Sequence, residues 1–431
     1  MTMSSSAEAL AIATVLIALL GAGVWIGIAL LLTGWFALWA FTSSPPGMIL
    51  ATAAWDASSN WTLTALPLFI WMGEILYRTR LAQDMFDGLA PFVQRLPGRL
   101  AHVNVIACGI FAAVSGSSAA TTATIGRISL PELEKRGYDD RLAIGSLAGA
   151  GTLGLLIPPS IVMIVYGVAA QVSINRLFVA GILPGLLLMA LFSAYIAVWA
   201  LRHPARLPQG IERTTLAEKI SRSRLLFPVV GLIVAVIGSI YAGIATATEA
   251  AALGVLGALV IAGLSGGLTR ASFAEALMGA VRTSCMIGFI LLGAAYLTRA
   301  MSFSGLPADL AALVTDLGLG RGTLIAVLTL FFVVLGMFLD GISIVVLTTS
   351  VVLPAVGAVG IDPLSFGIYL VIVVEMAQIT PPLGFNLFVI QGLTGRSIFQ
   401  IARMTMPFFL ILVLLVVLIT VFPGIVTVLV P

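Results

Sequence analysis

Gly154-Leu-Leu-Ile-Pro-Pro-Ser160 and Met376-Ala-Gln-Ile-Thr-Pro-Pro-Leu-Gly384 are two double-proline breaks, each set inside a run apolar enough to enter a membrane. Proline inside a helix removes an amide donor and clashes with the preceding turn. Lipid cannot satisfy the carbonyls this frees. Such a break is therefore tolerated at membrane depth only where it is buried in protein or lines a wet cavity. Two breaks in corresponding halves of a chain point to the binding site of a transporter.

The surrounding composition sets the class. The chain has 431 residues, of which 60% are hydrophobic and 9% charged, with a mean hydropathy of +1.15. Soluble domains carry about 25% charged residues. An all-α polytopic membrane protein is expected. The net charge of +3 is too small to suggest a nucleic-acid partner. Both cysteines, Cys108 and Cys285, lie in apolar runs and read as packing residues. His102 and His203 offer little for metal chemistry, and no His/Asp/Glu cluster or Ser/Lys pair suggests an enzyme. No Lys or Arg precedes residue 78, so no positive region of a cleavable signal is seen.

Apolar runs are read at 9–32, 34–57 (interrupted by Ser43-Ser-Pro-Pro46) and 61–77. Residues 80–99 alternate charged and large apolar side chains and are expected to lie in the interface. The stretch 101–131 holds the small, hydroxylic sequence Ser115-Gly-Ser-Ser-Ala-Ala-Thr-Thr-Ala-Thr124 at its middle. Each arm is too short for a core of about 30 Å, at about 1.5 Å per residue, so a re-entrant hairpin with its tip at 115–118 is predicted. A broken run (142–171) and a span (176–201) follow, then a basic loop, then plain runs at 225–246 and 249–267. A second interface-like segment (270–283), a span (285–301), an amphipathic stretch (303–321), a second hairpin with its tip at Leu339-Asp-Gly341, a broken run (364–394) and a last span (404–430) complete the chain. The domains are read as N-terminal scaffold helices (1–60), repeat 1 (61–201), a cytoplasmic loop (202–224), scaffold helices (225–267) and repeat 2 (268–430).

The two halves match by position. Pro131, Pro158, Pro159 and Pro184 pair with Pro354, Pro381, Pro382 and Pro407, each 223 residues on, as 381 is from 158. Gly137 and Asp139 pair with Gly360 and Asp362 at the same offset. Lys and Arg favour cytoplasmic loops. The loop 127–141 carries Arg127, Lys135, Arg136 and Arg141, whereas 322–395 has no Lys or Arg. The repeats are therefore expected to be inverted, with the first hairpin opening to the cytoplasm, the second to the outside, and both termini outside.

Hairpin tips should then meet the broken helices near the midplane. Freed carbonyls and hydroxyl or carboxylate oxygens suit Na⁺, and helix N-termini favour an anionic solute. The Ser/Thr stretch reads either as a site or as small residues for close packing. Asp340 reads as a cation ligand or gate, or as a helix cap. Glu375, one turn before the break, reads as ligand, bonding partner or gate. Asn386 faces either the solute or freed backbone. Glu74 and Glu249 read as helix-end or interhelical bonding residues. Trp25, Trp35, Trp39, Trp55, Trp61 and Trp71 read as interfacial anchors or as a surface for a partner subunit.

Met72-Gly-Glu74, Phe111-Ala-Ala-Val-Ser-Gly-Ser-Ser-Ala-Ala-Thr-Thr-Ala-Thr124, Gly149-Ala-Gly-Thr-Leu-Gly-Leu-Leu-Ile-Pro-Pro-Ser160, Phe178-Val-Ala-Gly-Ile-Leu-Pro-Gly185 and Gln378-Ile-Thr-Pro-Pro-Leu-Gly-Phe-Asn386 resemble the large membrane (M) subunit of tripartite ATP-independent periplasmic (TRAP) transporters. The resemblance covers nearly the whole chain. It implies an ion-transporter-superfamily fold, an elevator mechanism and Na⁺-driven uptake across a bacterial or archaeal inner membrane. It also implies a periplasmic substrate-binding protein, a separate small four-helix membrane (Q) subunit and a small organic solute, mostly an organic acid. Carried over, a first Na⁺ site would use Ser115, Ser117, Gly154, Ile157 and Pro158. A second, by the repeat, would use Asp340, Gly341, Ala377, Thr380 and Pro381, with Met376 and Gln378 beside it. The solute would lie near Ser118, Thr121, Thr122 and Asn386. A self-sufficient Na⁺-coupled dicarboxylate or citrate carrier of the same superfamily is the alternative.

Overall fold

The computed structural model describes residues 5–208, 215–382 and 384–430; Arg213 of the basic loop and Leu383 of the second break lie outside them. Every regular element among the described residues is helical. Six helices are long and apolar enough to span a membrane: Ile174–Arg202, Ala217–Tyr241, Ala247–Leu264, Arg270–Ser304, Gly341–Ala358 and Ile398–Val421. Asp140–Leu156 and Ile161–Ala169 together are also long and apolar enough, with a bend of 41° at the first double proline.

The first hairpin descends as Ala101–Ser115, turns at Gly116 and Ser117, and returns as Ser118–Lys135. Gly116 takes φ +58°, a conformation that costs a side-chain-bearing residue about 1–2 kcal/mol. The second hairpin descends as Arg321–Gly336 and returns as Gly341–Ala358. Both returning helices have 18 residues. Their N-caps, Ser117 and Asp340, stand at the repeat offset, as do the next helix caps Asp139 and Asp362 and the left-handed Gly137 and Gly360. Cis peptide bonds join Pro158 to Pro159 and Pro381 to Pro382. The repeat is thus one of backbone conformation as well as of residue type.

The copies run in opposite senses. Asp140, at the start of the first broken helix, pairs with Arg396, just past the end of the second. At the far end of the first, the Tyr166 hydroxyl donates to the carbonyl of Pro363, where the second begins (2.6 Å). Two helices tied start to end at both extremities are antiparallel.

Two expected boundaries are corrected. The runs 9–32 and 34–57 form three helices, Ser5–Gly21, Ile26–Phe41 and Pro46–Ser58. The unexpected break falls at 22–25, where Gly23 takes φ +77°; all four residues there are apolar or small, so hydropathy does not mark it. Residues 270–283 are no separate interfacial helix. They continue without a break into the span 285–301 as one 35-residue helix, Arg270–Ser304. No glycine or proline interrupts the junction, so nothing stops the turn-to-turn hydrogen bonding. Within 80–99 an amphipathic helix does form, as Leu81–Val93, with Leu81, Met85, Phe86 and Leu89 buried on one face.

Candidate functional site: twin hairpin tips against twin breaks

Each tip is locked by its own polar residues before it meets a break. In the first, the Ser115 and Thr121 hydroxyls are hydrogen-bonded (2.8 Å), the Ser117 amide donates weakly to Ser115 Oγ (3.4 Å), and the Ser117 hydroxyl caps the returning helix through the Ala120 amide (3.4 Å). In the second, Asp340 Oδ2 accepts from the amides of Ile342 (3.1 Å) and Ser343 (3.4 Å), while Oδ1 accepts from the Ser343 hydroxyl. Asp340 is therefore a helix cap. A cap of this kind contributes about 0.5–2 kcal/mol.

Tip and break touch through glycine in both copies. A Cβ on Gly154 would stand 2.5 Å from both Cα and N of Ser118, so only glycine admits the first tip. The Gly116 carbonyl accepts from the Ile161 amide (3.5 Å), just beyond the prolines. In the second copy a Cβ on Gly341 would meet Val374 at 2.5 Å and the Gln378 amide at 3.5 Å, and one on Gly336 would meet Ala377 at 2.3 Å. Ser115, Ser117 and Gly154 are thus brought together, and so are Gly341, Ala377 and Gln378. Ile157 leads away, its side chain against Gly185. Pro158 lines a small apolar recess with Phe178 and Tyr241. At the second break the Met376 carbonyl accepts from the Thr380 hydroxyl (2.7 Å), Ala377 accepts from the Thr380 amide (3.0 Å), and the Thr380 carbonyl accepts from Gly384 (3.0 Å). Pro381 follows in its cis bond.

The two copies join through Glu375. Its Oε1 accepts from the Leu155 amide (2.8 Å) in the first break and from the Ser118 hydroxyl in the first tip. It is 1% exposed, and Oε2 has no partner. Sequence alone left its role open; the contact spans 257 positions and carries no local signal. A second group of buried polar atoms lies between the copies. Thr122 Oγ1 and Asn386 Nδ2 lie 1.9 and 3.6 Å from the Cβ position of Gly151, and neither they nor Asn386 Oδ1 have a partner. Each such atom costs about 1–3 kcal/mol when left unpaired. Of the four residues expected near the solute, Thr122 and Asn386 thus present open polar atoms. The hydroxyls of Ser118 and Thr121 are engaged within the protein. Among the described residues no three His, Cys, Asp or Glu side chains converge. The oxygens offered here are those of hydroxyls, amides, backbone carbonyls and single carboxyl groups.

A cleft of about 360 Å³ opens beside the first tip, lined by Gly73, Glu74, Tyr77, Ser115, Ser117 and Thr283. Glu74 bonds Arg78 (3.3 Å), and Glu249 forms a capping box with Thr246, as helix-end residues do.

The sequence family described as "Tripartite ATP-independent periplasmic transporter, DctM component" matches residues 13–425. The chain belongs to this family. Among its relatives, the C4-dicarboxylate TRAP transporter large permease protein DctM of Rhodobacter capsulatus is 33% identical over 97% of this chain and 98% of its own. The ectoine/5-hydroxyectoine TRAP transporter large permease protein UehC of Ruegeria pomeroyi is 35% identical over 84% of this chain and 85% of its own. The YdaH transporter of Alcanivorax borkumensis superposes with a TM-score of 0.62 over 89% of each chain, at 16% identity, and shares the fold. With the apolar helices, these place the chain as a multi-pass membrane subunit of the TRAP large permease type, a transport protein among transport proteins.

Proposed function

We propose that this subunit imports a small organic solute, an organic acid in the first instance, driven by Na⁺ across the inner membrane. A periplasmic binding protein delivers the solute, and a separate small membrane subunit braces the chain. The carrying observation is the pair of tips packed through glycine on the pair of breaks, with unpaired Thr122 and Asn386 atoms between the copies. Na⁺ is read at Ser115, Ser117 and Gly154, with the Ile157 and Pro158 carbonyls. A second ion is read at Asp340 and Gly341, with Met376, Ala377, Gln378, Thr380 and Pro381. The solute is read at Thr122 and Asn386, with Ser118 and Thr121 shaping the wall. The cleft beside the first tip is its path toward the basic end, read as cytoplasmic. Transport proceeds as an elevator, the tips and breaks sliding against helices such as Ala65–Tyr77. Trp25, Trp39, Trp55 and Trp61, all above 70% exposed, give the bracing subunit an aromatic surface. The relatives carry a dicarboxylate and ectoines by name, so the solute class is left to measurement.

The test is uptake of radiolabelled C4-dicarboxylate into proteoliposomes, with an imposed Na⁺ gradient, with and without the small subunit and the binding protein. Uptake requiring all three components and Na⁺ is expected. Equal uptake by this chain alone would replace the proposal with a self-sufficient carrier.

A further inference from the structure

The end of the molecule that gathers the basic loops also holds an open groove of about 410 Å³. It is lined by Arg141 at the start of the first broken helix, Arg403 and Met404 in the last span, and Tyr195 and Trp199 in the long span Ile174–Arg202. Its floor is made by close packing. A Cβ on Gly145 would stand 2.6 Å from the Met404 carbonyl, and one on Gly149 2.4 Å from the Phe408 ring. Residues four apart share a helix face, so Arg141, Gly145 and Gly149 point toward the last span together. The glycines let the two helices touch. One turn further on, two guanidinium groups border a single groove.

Like charges in one groove call for an anion, and the described residues supply none. Asp139 is paired with Arg206 and Asp140 with Arg396. Neither Arg141 nor Arg403 has an ion-pair partner among the described residues. The start of the helix Asp140–Gly151 adds its own partial positive charge. The surroundings say which anion. Val198 and Leu410, three residues from the lining Tyr195 and Pro407 on the same helices, are exposed, as side chains facing acyl chains are. Arg403 stands five residues into Ile398–Val421, about 8 Å along the helix and within its first two turns. Trp199, half-buried and stacked on His203, is the kind of residue that marks the interface.

We propose that this groove binds the phosphate of an anionic phospholipid of the cytoplasmic leaflet, held between Arg141 and Arg403 with its glycerol against Trp199 and its chains along the last span. The site bridges the first broken helix and the last span, so the lipid clamps the packing of one copy on the other. Its cytoplasmic placement rests on the charge bias of the loops.

The test uses the full-length chain, exchanged into lipid-free detergent and titrated with short-chain phosphatidylglycerol, short-chain phosphatidylcholine or inorganic phosphate, with bound lipid counted by native mass spectrometry. Phosphatidylglycerol is expected to bind at least tenfold more tightly than phosphatidylcholine. Arg141→Gln and Arg403→Gln should each weaken it about fivefold, and the double variant about 25-fold. Arg403→Lys should retain most of the binding. Equal affinity for the two lipids overturns the proposal, as does an unchanged double variant. Displacement by millimolar inorganic phosphate reassigns the site to a soluble anion. A photo-crosslinker at Gln400, in the assembled complex, should capture lipid; capture of protein would make the groove a subunit interface. Should the double variant fail to elute as a single species, the wild-type lipid ratio and Arg403→Lys decide.

Discussion

Ser118 donates its hydroxyl hydrogen to the carboxyl group of Glu375, 257 residues further along the chain. The same oxygen accepts from the Leu155 amide (2.8 Å), so one side chain of the second copy holds both the tip and the break of the first. Glu375→Ala would leave the buried amide and hydroxyl without an acceptor, at about 1–3 kcal/mol each. Glu375→Gln retains an acceptor oxygen. Thermal unfolding in detergent should therefore fall by several degrees in the alanine variant and much less in the glutamine one. Identical midpoints for the two variants would detach Glu375 from this role.

Asp340 can be split into its two functions by choice of substituent. Asparagine caps a helix as well as aspartate does, whereas alanine does not, at about 0.5–2 kcal/mol. Asp340→Asn should keep the midpoint of unfolding and raise the Na⁺ concentration for half-maximal uptake by about tenfold. Asp340→Ala should lose both. A sodium titration that Asp340→Asn leaves unmoved removes this residue from the ion site.

Gly154 tests the contact between tip and break. An added methyl would press on the Ser118 backbone at 2.5 Å, and backbone cannot swing aside. Overpacking of this kind costs about 1–3 kcal/mol, taken at the point where tip and break meet. Gly154→Ala should abolish uptake, while Gly357→Ala, with nothing within 4 Å, should be silent. Uptake near wild type in Gly154→Ala would show that the tip is not held where it lies.

The opposed orientation of the copies fixes a labelling pattern. Lys135 and Ala358 are both exposed and end the two returning helices. With exposed Cys285 replaced by alanine, a cysteine at 135 should react with an impermeant reagent only from the cytoplasm, and one at 358 only from outside. Labelling of both from one side would exclude a membrane orientation built on antiparallel broken helices.

Much of this architecture was legible in the chain because it is written in residues with strong local rules. Proline and glycine at a fixed offset marked the repeat, and both hairpin turns formed at the expected tips. The break at 22–25 was not legible, because a glycine between apolar residues changes no hydropathy. Nor was the fusion of 270–283 with the following span, where polar side chains on an uninterrupted helix mimic an interfacial segment. At the site, residue types pointed to the Ser/Thr tip and to Asn386. Their division into engaged hydroxyls and open ones was invisible, because it depends on contacts such as Ser115 with Thr121 and Gly151 with Thr122. Asn104, which bonds Ser146 (2.9 Å) between hairpin and break, is a polar residue in an apolar arm and so a usable signal of a buried contact.

Ser117 corresponds to Asp340, and Thr152 corresponds to Glu375. The matching positions are hydroxyls in the first copy and carboxyls in the second. The duplication is one of shape and not of charge, and labour is divided between the halves. A chain made from two first halves would present no acid at these positions, and one made from two second halves would present four. Only the mixed pairing sets one carboxyl at its own tip and lends the other to the opposite copy, so neither half is a spare copy of its neighbour.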